Sequence, residues 1–149
     1  MSDLEKIEIL QNAKNIAVLG ISADTSKASN EVARCLISQG YNILPIHPKH
    51  SEILGKKAHK NLQEAFDENG TIDILNIFRK SEALEGIAKE IAALKNKPKC
   101  VWIQLGLRSP RAREIIQSAG VAYIEDLCIE LEYKRLIAES SPKFYEKNI

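Results

Sequence analysis

The sequence predicts a doubly wound α/β fold: a single, mostly parallel, Rossmann-like sheet with helices on both faces. Three observations lead there. Short apolar runs alternate along the chain with segments of helical period. Most of those runs are continuously apolar, as strands buried on both faces are. The first run, Ile16 to Leu19, stops at Gly20 and is followed by a Ser/Thr/Lys-rich segment and then a helical pattern. That strand–loop–helix order places a loop at the carboxyl end of a strand and at a helix N-terminus, where free backbone N–H groups and the helix dipole favour an anion.

The elements follow in order. From Asp3 to Ala13, the residues Leu4, Ile7, Leu10 and Ala13 recur at steps of three with charges between them, which predicts an amphipathic lead-in helix. After the first strand, Val32, Ala33, Leu36 and Ile37 stripe a helix from about Asn30 to Gln39, and Gly40 stands at its C-terminal cap. Tyr41 to Ile46 reads as the second strand. Pro45 has no N–H to donate, so the strand either ends there or has that side of its backbone free. Residues 47–60, HPKHSEILGKKAHK, hold every histidine and four lysines against one glutamate, and the plain expectation is a solvated surface loop. Asn61 with Glu64 predicts a short capped helix carrying Leu62, Ala65 and Phe66. Ile72 to Phe78 forms the third long apolar run. Ser81 is then placed to cap a helix from Glu82 to about Leu94, with Leu84, Ile87, Ala88, Ile91 and Leu94 on one face. Cys100 to Leu105 is a buried strand closing at Gly106, and Ser109-Pro110 opens a helix that runs to Gly120. Val121 to Ile124 gives a last short strand and Ile129 to about Glu139 a last helix, leaving residues 140–149 as a loose tail.

A chain of 149 residues supports one domain with a real core, here about residues 10–137. The net charge of +1 gives no whole-chain attraction to nucleic acid. Cys35, Cys100 and Cys128 are odd in number and form no C-x-x-C pair, which argues against a disulfide framework or a zinc site and fits a reducing cytoplasm. The N-terminus lacks an apolar targeting segment, and no run approaches the roughly 18 apolar residues of a membrane span. A cytoplasmic protein without membrane or nucleic-acid partners is therefore expected.

A dinucleotide fingerprint would show G-x-G-x-x-G/A after the first strand and an acid about 20 residues further on, to bind the ribose hydroxyls of NAD. Here the loop reads Gly20-Ile21-Ser22-Ala23, and the second strand ends in Ile46, His47, Pro48 and Lys49. A basic wall in place of the acid disfavours NAD and favours a nucleotide with a phosphorylated ribose, such as NADP or coenzyme A.

Several ordered segments then resemble those of the small stand-alone coenzyme A-binding proteins, whose Rossmann-like domain also resembles the N-terminal domain of the succinyl-CoA synthetase alpha subunit. They are V-L-G-I-S at 18–22, H-P-K at 47–49, I-F-R-K-S-E at 77–82, W-I-Q-L-G at 102–106, and D-L-C with E-Y-K-R-L near 126–136. His47 departs from the Asn or Thr usual in the family. The resemblance implies that Gly20, Ile21 and Ser22 meet the pyrophosphate. It also implies that Lys27 and Ser29 add a charge and a hydrogen bond, Ser29 reading equally well as a helix cap. Lys49 would meet the 3′-phosphate end, with His47 and Pro48 shaping that wall. Phe78, Arg79 and Lys80 would lie beside the adenosine, and Gln104, Leu105 and Gly106 along the pantetheine; for Phe78 and Leu105 a core role is the first expectation. Cys128 resembles a cysteine common in the family and is the candidate for thiol exchange with the ligand, the alternative being a buried, inert thiol like Cys35 and Cys100. The resemblance implies a ligand-binding, non-catalytic protein, since no Ser/His/Asp or Cys/His set is present and the synthetase's phosphorylated histidine lies in a domain this chain lacks. An NADP-dependent oxidoreductase and a partner-binding subunit that has lost its ligand are the alternatives, and a homodimer is left open.

Overall fold

Five of the apolar runs assemble into one parallel sheet. The computed structural model describes residues 1–139; the predicted tail lies outside the described residues. The sheet is built from β1 (Asn15–Leu19), β2 (Asn42–Ile46), β5 (Ile74–Ile77), β6 (Cys100–Ile103) and β7 (Ala122–Ile124), in the order β2-β1-β5-β6-β7. Each neighbouring pair is parallel. The chain leaves β1 towards β2 on one side and resumes at β5 on the other, so the winding reverses between β1 and β5. Ligands of open α/β sheets bind at the carboxyl ends of the strands at such a reversal.

Alternate residues of each strand feed two separate cores, as the twofold strand period requires. Ile16, Val18, Ile43, Ile74 and Trp102 face α1 (Asp3–Asn12), α2 (Ala28–Ser38) and α6 (Ile129–Tyr133). Ala17, Leu44, Leu75, Ile77, Val101 and Ile103 face α3 (Leu62–Asn69), α4 (Ser81–Ala93) and α5 (Pro110–Ser118).

The differences from the sequence reading have physical causes. In α1, Leu4 is exposed whereas Leu10 is buried. Steps of three fall short of the 3.6-residue turn by about 60° each, so those residues cannot share one face. Lys6 takes the buried place instead and pairs with Glu132 at 2.9 Å, while Arg135 bonds both Glu132 and Asp3. Helix α2 begins at Ala28, two residues earlier than the apolar stripe indicates, which puts Ser29 inside the first turn and Lys27 at the cap position. Ser81 is the first residue of α4 rather than its cap, and its hydroxyl accepts from the Arg108 N–H. The basic 47–60 segment is more than a solvated loop: β3 (Glu52–Ile53) and β4 (Lys56–Lys57) form an antiparallel hairpin, and His59 is buried. His59 bonds the outer edge of β2 through His59 N–H to Pro45 O and His47 N–H to His59 O. Pro45 thus lies in an edge strand of the main sheet, where its missing donor costs no ladder bond. The last helix opens into a π-helical turn over Lys134–Ala138. Cys35 is partly exposed rather than buried, while Cys100 is buried as expected.

Candidate functional site

The loop after β1 is held by its own hydroxyl and carboxyl groups. The Ser22 N–H donates to Ser29 Oγ at 2.9 Å, so the buried Ser29 hydroxyl serves the loop rather than capping the helix. Asn30, also buried, donates to Ser22 O and accepts from Arg34, whose guanidinium reaches Thr25 O. Ser22 Oγ accepts from the Asp24 N–H, and the Asp24 carboxylate accepts from the Ser26 N–H and hydroxyl. Gly20, at φ +86°, crosses the carboxyl end of β5, and a Cβ there would stand 2.2 Å from the Phe78 carbonyl oxygen. Only glycine allows that approach. The glycine therefore joins the loops after β1 and β5 at the point where the winding reverses.

A cleft of about 590 Å³ opens beside this crossing. Its walls are Ala28, Glu31 and Val32 from α2, Phe78, Arg79 and Lys80 after β5, Gln104, Leu105 and Leu107 after β6, and Cys128, Glu130 and Leu131 from the start of α6. Leu105 is 59% exposed, which corrects the core role expected for it, and Leu131 is 56% exposed. Gln104 is buried, with its Oε1 facing Ile129 N–H at 3.4 Å and Asn76 Nδ2 at 3.5 Å. The Trp102 indole N–H donates to Leu127 O at 2.9 Å and so fixes the loop that carries Cys128.

The helix N-termini divide into two groups. Ser2, Asn61 and Ser109 each accept a backbone N–H at the start of α1, α3 and α5. At the start of α2, α4 and α6 the cap positions are Lys27, Lys80 and Cys128, with no side-chain cap; only the first two carry a lysine there. The N–H groups of Ala28, Ser29, Ser81 and Glu82 donate to no group among the described residues. Unpaired N–H groups at a helix start carry a partial positive charge, and here each pair stands beside a lysine. Lys27, Lys49, Arg79 and Lys80 make no ion pair among the described residues.

His47, Pro48 and Lys49 lie after the edge strand β2 and do not line the cleft. His47 Nδ1 accepts from the N–H groups of Lys49 and His50, both at 3.0 Å, so the neutral ring carries its proton on Nε2. Burial, reinforced by the charges of His50, Arg79 and Lys49, holds this imidazole below the usual histidine range. Gly106 is exposed and outside the cleft lining; its N–H is taken by Asp126, whose carboxylate is held low by that bond and by Arg108.

The CoA binding domain model matches residues 14–134. The chain belongs to the CoA-binding domain family. It is 39% identical to the uncharacterized protein YneT of Bacillus subtilis (strain 168) over 132 residues, covering 89% of this chain and 94% of that protein. Among solved structures it is similar to cell-free ID.343 from Thermus thermophilus, with a TM-score of 0.83 and 37% identity, covering 92% of this chain and 100% of that one. A hypothetical protein from Pyrococcus horikoshii OT3 gives a TM-score of 0.82 at 26% identity, with 92% and 93% of the two chains covered.

This CoA-binding domain brings Phe78, Arg79, Lys80, Gln104, Leu105 and Cys128 into one cleft, with Gly20 against Phe78 and Lys27 next to the lining residue Ala28. Ile21 is buried in the core and does not line the cleft. Sequence reasoning missed Glu31, Val32, Leu107, Glu130 and Leu131, which no motif marks, and missed Asn30 and Arg34, whose role depends on the loop folding back over α2. It also missed the grouping of His59 with Glu64 and Glu68, whose ligand-type atoms lie within 4.8 Å of one another. Asn69 Nδ2 is held by Ala65 O at 2.8 Å and faces His59 Nε2 at 3.3 Å, so Nε2 accepts and the ring proton sits on Nδ1. His59 Nδ1 lies 3.2 Å from Glu68 Oε2 without making a hydrogen bond to it, and Lys57 pairs with the other carboxylate oxygen of Glu68 at 2.6 Å. The group ties the hairpin to α3.

Proposed function

We propose that this domain binds coenzyme A or an acyl-coenzyme A as a non-catalytic binding protein, with the pyrophosphate on the Gly20–Ser29 loop and the 3′-phosphate end near Lys49. The observation that carries the reading is the pair of uncapped, lysine-bearing N-termini of α2 and α4 on the rim of the cleft, in a chain whose α1, α3 and α5 are each capped. Four free N–H groups with Lys27, Arg79 and Lys80 suit two linked phosphates.

The order of the loops supports it. Across the sheet they run His47–Lys49, the Gly20 loop, Phe78–Lys80, Gln104–Gly106 and Asp126–Cys128. Four strand spacings give a path of roughly 19 Å. It begins basic, passes the uncapped helices and ends between Leu105, Leu131 and Gln104. A nucleotide with a ribose phosphate, a pyrophosphate and a long neutral arm with amides has the same sequence of chemistry. Gly106 contributes position and no donor, since its N–H is already bonded. The cleft lining offers the cations Arg79 and Lys80, the carboxylates Glu31 and Glu130, an amide and a thiol, and we assign no general acid or base among them.

Calorimetric titration with coenzyme A, NADP and NAD in parallel tests the reading. One-to-one binding of coenzyme A with little heat from either dinucleotide is expected; tight NADP binding with no response to coenzyme A would overturn it.

A further inference from the structure

Among the described residues, two buried side-chain polar atoms lack a hydrogen-bond partner, Asn76 Oδ1 and His59 Nδ1. The second belongs to a cluster of metal-ligating groups. His59 is 3% exposed, and its Nδ1 lies 3.2 Å from Glu68 Oε2 without bonding to it. Glu64 completes the cluster, one ligand atom from each of the three residues lying within 4.8 Å of the others. A buried ring nitrogen that faces a carboxylate and bonds nothing is costly unless a further group satisfies both. We infer that His59, Glu64 and Glu68 bind a divalent transition-metal ion of the zinc class, which clamps the β3–β4 hairpin to α3. The site lies outside the cleft, and the inference is independent of the coenzyme A reading.

The local sequence builds the site. His59 follows the hairpin and is fixed to the edge of β2 by its own backbone, His59 N–H to Pro45 O and His47 N–H to His59 O. Asn61 then caps α3, and Glu64 and Glu68 stand four residues apart on it, so they share one face of the helix. Each carboxylate is oriented by a donor outside the cluster. Glu64 Oε2 accepts from the Lys60 N–H at 2.7 Å, and Glu68 Oε1 accepts from Lys57 Nζ at 2.6 Å, which leaves Glu68 Oε2 turned to His59. Metal-binding carboxylates are held in the same way.

Distance and donor type agree with the choice of ion. Two ligands at about 2.0 Å from a tetrahedral zinc stand roughly 3.3 Å apart, against the 3.2 Å between Nδ1 and Glu68 Oε2. One imidazole and two carboxylates suit zinc or cobalt rather than calcium or magnesium, which take oxygen alone. Glu64 and Glu68 with Lys57 sum to one net negative charge, and the exposed Glu68 opens the site to solvent. The ring proton on Nδ1 gives way to the ion and is carried on Nε2 instead. Asn69 then exchanges its bond to Ala65 O for one in which Oδ1 accepts from that N–H.

The full chain, free of any affinity tag, is stripped with a chelator, dialysed and titrated with Zn²⁺ in a calorimeter and with Co²⁺ by visible absorption. One ion per chain is expected, with an unfolding temperature that rises with Zn²⁺ concentration. Because His59 is buried, the carboxylates carry the mutational test. Glu64→Gln and Glu68→Gln should each weaken Zn²⁺ by more than about tenfold. His50→Gln should leave binding unchanged, although the His47 and His50 rings, 4.5 Å apart, are the competing imidazole pair. Nitrogen-15 NMR of the His59 ring should show its proton move from Nδ1 to Nε2 as Zn²⁺ is added. No Zn²⁺ binding up to about 1 mM, binding unaltered in both glutamine variants, binding lost in His50→Gln, or an unchanged His59 tautomer at saturation overturns the inference.

Discussion

Gly20→Ala is the most informative single substitution in this fold. The residue sits at φ +86°, where a side chain costs about 1–2 kcal/mol. The added Cβ would also lie 2.2 Å from the Phe78 carbonyl oxygen and 2.9 Å from the carbonyl carbon, both rigid backbone atoms. Restoring an ordinary contact moves one loop by roughly 1 Å, and the nearest bond to yield is Phe78 N–H to Leu19 O, at 2.9 Å, a backbone hydrogen bond worth about 1 kcal/mol. Together these give about 2–4 kcal/mol of lost stability, with β1 and β5 splayed where the winding reverses. Gly40→Ala is the matched control: its φ is +96° but nothing lies within 4 Å of the added carbon, so only the backbone cost of about 1–2 kcal/mol applies. Urea unfolding at several protein concentrations measures both, read as a change in midpoint at constant slope. If Gly20→Ala were no more destabilising than Gly40→Ala, the close crossing of the two loops would be refuted.

Other predictions follow from single groups. Lys49→Glu should weaken coenzyme A by about tenfold or more and dephospho-coenzyme A by less than about threefold, since only the former offers a 3′-phosphate; equal losses in calorimetry would remove Lys49 from that end of the ligand. Ser29→Ala removes the acceptor of the Ser22 N–H and should cost about 1–2 kcal/mol of stability together with a loss of coenzyme A affinity; unchanged affinity would separate this bond from the binding loop. Stability should also fall in acid. The Glu132 carboxyl is held below its usual value by the Arg135 hydrogen bond, which with Lys6 outweighs the effect of burial, and Asp3 is lowered to about 2, chiefly by Arg135. A depressed folded value gives stability that is present above the unfolded value and is lost as pH falls through the folded one. The urea midpoint should therefore drop below about pH 4.5, and Glu132→Gln should lower it at neutral pH while flattening that acid limb; an unaltered limb would assign the loss to other carboxylates.

The sheet was legible because strands buried on both faces write themselves as continuous apolar runs, and the loop after β1 because a glycine closing such a run is a local signal. What stayed hidden depends on contacts distant in sequence. The hairpin in 47–60 was masked by its charge; His59 is buried only because β2 is an edge strand that accepts a partner. Lys6 reads as a surface lysine until Glu132, 126 residues away, meets it. The cleft lining from α6 carries no motif, and Leu131 becomes part of a site only because α6 packs beside α2. Ser29 and Ser81 both read as caps, yet each hydroxyl accepts from a neighbouring loop, which leaves both helix starts open. That openness, the basis of the proposed phosphate seat, is invisible in the sequence.

A titration of 15N-labelled protein with coenzyme A, followed by two-dimensional NMR, tests the proposed phosphate seat at the starts of α2 and α4. The largest backbone amide shifts are expected on Ala28, Ser29, Ser81 and Glu82, with the Gln104 side-chain amide moving as well and the Ala112 amide, bonded to its Ser109 cap, staying in place. Saturating coenzyme A that leaves those four amides unmoved, while shifting residues outside the cleft, would contradict it.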